Sequence, residues 1–176
     1  MERVKATLAA LAKIDQETRT AFVDIFKLCG NESPRLESII EFGRRVDEEN
    51  LKYLKTILYQ ITWPRISEFG TEADHDAFLI AQHADGDPGY QKQVLTLLGD
   101  LVRQGETNAD NYVLLADRVA ESENKPQLYG TQGECKKGMF VPNNAQHLGE
   151  MNHRRMDLKL SDLTDYIDNA TKLMCK

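Results

Sequence analysis

Apolar residues open this chain at helical spacing. Val4, Leu8, Leu11, Thr18, Phe22 and Ile25 lie along one stripe, and Asp15 stands in that stripe where an apolar side chain belongs. The pattern predicts an amphipathic helix over residues 3–28. Gly30 stops it. Asn31-Glu32-Ser33-Pro34 reads as a turn, with Ser33 capping a second helix and Pro34 at its first position. That helix runs to about Gln60 on a face of Leu36, Ile39, Val46, Leu54 and Ile57. Asp47 and Asn50 sit in or beside the face, and Gly43 is a point where the helix could break. Trp63-Pro64 ends it, because the residue before a proline resists the helical conformation.

A short loop through Ser67 and Gly70 leads to a third helix over about 71–84. Its Ala77–Ala81 section is apolar all round, which predicts burial. Gln82 and His83 leave this oily element, and buried polar groups without partners cost about 1–3 kcal/mol each, so both need partners. Asp87-Pro88 caps a fourth helix carrying Val94, Leu98, Leu101 and Val102, and Gly105 ends it. Asn108 caps a fifth, about 109–122, with Tyr112, Leu115, Ala116 and Val119 on its face. Residues 127–142 read as a hairpin or extended loop turning at Lys136-Lys137-Gly138, and helices near 146–156 and 161–173 close the chain. There is no internal repeat and no low-complexity tract. The expected class is mainly α, a helical bundle in one domain over residues 1–176 with a small β element.

At 176 residues the chain is long enough to bury a real core. Its net charge of −6 argues against broad nucleic-acid binding, which needs clustered cations. Lys136-Lys137 and Arg154-Arg155 are read as solvated surface. No apolar run reaches the roughly 18 residues of a membrane span, and Lys13 and Asp15 interrupt any signal-like region. Three widely spaced cysteines, Cys29, Cys135 and Cys175, form no CxxC pair. They suit a reducing compartment and give no zinc-finger signal. The expected setting is cytoplasmic.

The candidate chemistry lies where polar residues interrupt the pattern: Asp15, Asp47, Asn50, Gln82, His83, Asp85, Asp87, Asp117, Arg118 and the 129–132 loop. Asp87 has a simpler reading as a helix cap, and Asp117-Arg118 as an ion pair or an anchor for the hairpin. His83, followed by Asp85 and Asp87, can move a proton near neutral pH if a carboxylate orients it. His75 and His83 are eight residues apart and diverge by about 80° on a helical wheel, so a two-histidine metal site is not expected. Phosphate loops, dinucleotide fingerprints and nucleophile elbows are all lacking. No cofactor is expected. Pro126-Gln127-Leu128-Tyr129-Gly130-Thr131-Gln132 offers backbone N–H groups, a hydroxyl and carboxamides to a ligand, or else is a tight turn whose tyrosine packs on the core.

These residues carry a resemblance. Trp63-Pro64, Ser67, Gly70, Gln82-His83-Ala84-Asp85, Asp117-Arg118-Val119 and Pro126 to Gln132 resemble the pattern of an uncharacterised, mostly bacterial domain family. Asp15-Gln16, Asp47/Asn50 and Asn152-His153-Arg154-Arg155 resemble further family positions. Two departures stand out. Thr62 replaces the glycine usual before Trp-Pro, and Asp157-Leu158-Lys159-Leu160 replaces a proline-containing stretch. The resemblance implies no reaction.

The functional expectation is a small enzyme, hydrolase or transferase, with His83 as acid or base and Asp85 as its orienting carboxylate. Gln82, Arg118, Gln127, Tyr129, Thr131 and Gln132 would bind a small polar ligand or peptide across a pocket shared with His83. The alternatives are a non-catalytic binding module with the same residues, or an immunity or regulatory protein whose acidic surface meets a protein partner.

Overall fold

The Leu8–Leu11 stripe does what its spacing predicts. In the computed structural model, which describes residues 1–30, 33–145 and 147–175, α1 (Glu2–Cys29) buries Leu8, Leu11 and Ala12 against α2 (Pro34–Ile61) and α3 (Ile66–Gln82). Ser33 caps α2 through its hydroxyl, which accepts from Arg35 N, and Pro34 takes the first turn. Asn31, Glu32 and Gln146 lie outside the described residues, as does the side chain of Cys29. α2 is continuous: Gly43 does not break it. That glycine faces α1, where a Cβ would meet Thr18 Cγ2 at 3.5 Å, an ordinary contact.

Trp63-Pro64 ends α2 as expected, but on strained backbone. Thr62 adopts φ 65°, ψ −57°, and Trp63 N donates to Ile61 O at 2.8 Å across it. This is a γ-turn of the rarer, strained hand, held by a β-branched residue where the resembling family carries glycine. Trp63 is buried and donates from Nε1 to Asp74 Oδ1 at 2.7 Å, which pins the turn to α3. The loop expected through Ser67 and Gly70 is instead helical apart from Gly70, whose φ of 82° and ψ of 168° separate one turn at Ile66–Phe69 from the rest of α3. Ala77, Phe78, Ile80 and Ala81 are buried, as an all-round apolar section should be.

The chain forms two compact units, Met1–Tyr90 and Gln91–Lys176. The first holds α1–α3 and the start of α4 (Pro88–Gln104). The second holds the rest of α4, α5 (Ala109–Ser122), the hairpin β1 (Gly133–Lys136) and β2 (Met139–Pro142), α6 (Leu148–Asp157) and α7 (Leu163–Met174). The hairpin pairs antiparallel with Cys135 opposite Phe140. Val113, Ala116 and Tyr129 centre a small core, with Leu95, Tyr112, Leu158 and Leu160 packed on it. The fold is mainly α, seven helices and one two-stranded hairpin among the described residues.

Two readings need correction. Cys135 and Cys175 are joined by a disulfide, so they are not separate thiols. Their 40-residue separation hid the pair, because only the hairpin folding onto α7 brings them together. Arg155 is not solvated surface: it is 1% exposed, donates from Nε to Ser161 O and from Nη1 to Tyr129 O, and lies 4.7 Å over the Tyr166 ring. A buried guanidinium is tolerated because carbonyl oxygens and an aromatic face replace its water.

Candidate functional site

Asp15 sits in the α1 stripe with 1% of its surface exposed. A buried carboxylate is costly unless charge and hydrogen bonds compensate it. Three donors do so. His83 Nδ1 lies 2.8 Å and Arg19 Nη2 3.3 Å from Asp15 Oδ1, and Gln16 Nε2 reaches Oδ2 at 2.8 Å. The same Arg19 Nη2 reaches across to Asp47 Oδ1 on α2 at 2.5 Å. α1 and α2 are thus bridged by one guanidinium between two carboxylates, and His83, the residue that ends α3, closes the set.

The two carboxylates respond oppositely. Burial pushes Asp15 up, but the His83 hydrogen bond and the charges of His83 and Arg19 outweigh it and hold it below the ordinary value. For Asp47 burial dominates over Arg19, and its pKa is raised. Asp15 is therefore the more firmly ionised partner. An ionised carboxylate only accepts, so His83 must donate from Nδ1, which leaves Nε2 as the basic nitrogen of the neutral ring.

His83 lies on the wall of a hollow of about 520 Å³ in the first unit. Asp47, Leu51, Lys55, Ala84, Asp85 and Asp87 are among its other linings. Asp87 caps α4 as expected, accepting from Tyr90 N at 3.0 Å, and Lys55 Nζ meets its other oxygen at 2.7 Å. The Lys55 hydrogen bond, then the Tyr90 amide, lowers the Asp87 pKa. Lys55 also lies 4.8 Å over the Tyr90 ring, whose hydroxyl burial pushes up to about 12.

The predicted set thus falls in two places. Gln82, His83 and Asp85 belong to the first unit, with Gln82 half-buried and Asp85 on the exposed rim of the hollow. The carboxylate on His83 Nδ1 is that of Asp15, 68 residues upstream, rather than Asp85. Arg118, Gln127, Tyr129, Thr131 and Gln132 belong to the second unit. There Asp117, fully buried, accepts from Leu128 N, Tyr129 N, Thr131 N and Thr131 Oγ1 at 2.7–3.0 Å. Gln127 Nε2 donates to Gln132 O and Asn143 O, and its Oε1 accepts from Gln132 N at 2.8 Å. Gln132 Nε2 in turn reaches Leu114 O at 3.4 Å. Tyr166 donates to Thr131 O, and Arg154 to Leu128 O. Donors and acceptors that looked free for a ligand are spent on shaping their own loop. Gly130, at φ 75°, completes it, since a Cβ there would lie 2.7 Å from Leu163 Cδ1. Among the described residues no group of three or more His, Cys, Asp or Glu is placed to hold a metal.

A family of unknown function, DUF6624, matches residues 3–174, nearly the whole length. The chain belongs to DUF6624. No curated protein and no solved structure matches it. Its departures from the motif pattern now have structural answers. Thr62 holds the strained turn described above. Where a proline-containing stretch was expected, α6 of this DUF6624 chain ends with Lys159 at φ 59°, Lys159 N donating to Met156 O and Leu160 N to Arg155 O. Those two bonds cap the helix end without proline. Sequence reasoning missed Arg19 and Asp74. Arg19 was detectable, since it lies one turn after Asp15 on the same helix face; Asp74 gave no signal apart from the need of a buried tryptophan N–H for an acceptor.

Proposed function

We propose that this DUF6624 chain is a cofactor-independent hydrolase or transferase working by acid–base chemistry at His83. The supporting observation is the 2.8 Å bond from His83 Nδ1 to buried Asp15 at the wall of the hollow. An imidazole oriented this way acts through Nε2. In the proposed step Nε2 takes a proton from water or a substrate hydroxyl as that oxygen attacks an acyl or phosphoryl centre. The imidazolium, stabilised by Asp15, then returns the proton to the leaving group. Asp47, the more easily protonated carboxylate, and Asp85 on the rim contact a small polar substrate or a peptide end. The Tyr129–Gln132 atoms serve their own loop and take no part in holding the substrate.

A second reading has its own support. Arg19 bridging Asp15 and Asp47 ties α1 to α2, which is what a register-fixing network in a non-catalytic binding or regulatory module would do. A cytoplasmic setting belongs to the proposal as well. No helix among the described residues is long and apolar enough to cross a membrane, and in a reducing cytoplasm the Cys135–Cys175 bond would form only transiently.

The test compares wild type with His83→Gln on a panel of carboxylic esters, amides and phosphate esters. Glutamine retains a donor toward Asp15 but no base. Turnover of at least one class by wild type, falling about 100-fold or more in the variant with unchanged thermal midpoint, is expected. Absent turnover throughout the panel, or equal rates in both proteins, removes the enzymatic reading.

A further inference from the structure

The second unit carries chemistry that the His83 site does not use. We propose that the Cys135–Cys175 pair is a reversible thiol–disulfide site that latches the hairpin to the end of α7 and exchanges with a dithiol reductant. Cys135 is exposed on β1, directly opposite Phe140 on β2. Cys175 caps the C-terminus of α7, its N–H donating to Thr171 O. One turn back, Thr171 Oγ1 accepts from Phe140 N at 2.9 Å. Hairpin and helix therefore meet on two adjacent rungs, one covalent and one hydrogen-bonded, with Phe140 edge-on to Tyr166 at 6.2 Å just inside.

This placement favours exchange over a purely structural role. The bond stands outside the core, at the open rim of a two-stranded ribbon, and exposed disulfides are the labile ones. The Phe140–Thr171 hydrogen bond and the Phe140–Tyr166 ring contact remain when it breaks, so cleavage releases a helix end rather than the unit. In the exchange, a thiolate of the reductant attacks Cys135 Sγ. The Sγ–Sγ bond breaks, and Cys175 departs as a thiolate and takes up a proton. The reductant's second thiol then displaces Cys135, so that the protein gains two thiols and the reductant becomes a disulfide. Two electrons pass, and no other oxidant or reductant is needed. The exchange takes place within the second unit and uses no group of the His83 site.

The experiment equilibrates the full chain in graded ratios of reduced and oxidised glutathione, traps thiols by alkylation, maps them by peptide mass spectrometry, and follows hydrogen exchange. We expect a Cys135–Cys175 peptide that titrates reversibly within the glutathione range while helical circular dichroism persists. On reduction, amides of residues 139–141 and 171–175 should exchange about tenfold faster or more, with residues 2–29 unchanged. Cys175→Ser should mimic the reduced exchange pattern. Three results overturn the idea: no Cys135–Cys175 peptide at any ratio, a bond that survives the most reducing ratio in the folded protein, or reduction that leaves exchange at 139–141 and 171–175 unaltered.

Discussion

Asp15 and Asp47 share one guanidinium yet lean in opposite directions, and that contrast is measurable through stability. Asp15 has a folded pKa below the ordinary 3.8. Its contribution is fully present above 3.8 and is lost as pH falls through the lower folded value. Asp47 is raised above 3.8, so its contribution is present below 3.8 and is lost as pH rises through the folded value. Urea midpoints taken between about pH 2 and 6 should separate the two. Asp15→Asn should weaken the protein by about 1–3 kcal/mol at neutral pH, and the gap from wild type should narrow below 3.8. Asp47→Asn should instead change the slope just above 3.8. A gap that stays constant from neutral pH to the acid end would remove the ionised Asp15 from the account.

Turns decide where the helices point, and two of them test backbone cost directly. Thr62 is exposed at φ 65°, so replacing it with glycine removes strain and loses no packing. Thr62→Gly should raise unfolding free energy by about 1 kcal/mol, since strain of about 1–3 kcal/mol is partly offset by the extra freedom of unfolded glycine. Gly130→Ala should do the reverse, costing about 2–4 kcal/mol, because its Cβ would both occupy a left-handed position and strike Leu163. Denaturant titration checks both signs. The helices themselves were legible from stripe, cap and proline, because those signals are local: α2, α4 and α5 begin at Ser33, Asp87 and Asn108 as read. Asp15, Asp47 and His83 were legible as misfits, since each breaks an apolar face. Their mutual contacts were not, because Asp15 and His83 meet only when α1 packs against the end of α3. The Gln127–Gln132 loop misled for a related reason. Its polar groups look available until Asp117, read only as an ion pair or anchor, is seen to consume three amides and a hydroxyl.

Across the molecule, the disulfide and the single tryptophan report on different units. The Cys135–Cys175 link closes a 40-residue loop wholly inside the second unit, and Trp63 lies in the core of the first. In the chain-entropy account a loop of that length restricts the unfolded chain enough to contribute about 3–4 kcal/mol. Only transitions that unfold the looped segment should feel it. Trp63 fluorescence and near-ultraviolet tyrosine signals, followed together in urea, resolve which transitions those are. With Tyr53, Tyr59 and Tyr90 of the first unit replaced by phenylalanine, the remaining tyrosine transition reports Tyr112, Tyr129 and Tyr166; on reduction, or in Cys175→Ser, it should move to lower urea, while the Trp63 midpoint should stay where it was. The burial of Trp63 rests on its bond to Asp74 and on α3, neither of which the cross-link touches. A Trp63 midpoint that falls with the tyrosine signal would mean that the units unfold as one cooperative body, and the stabilisation would then be spread over the whole chain.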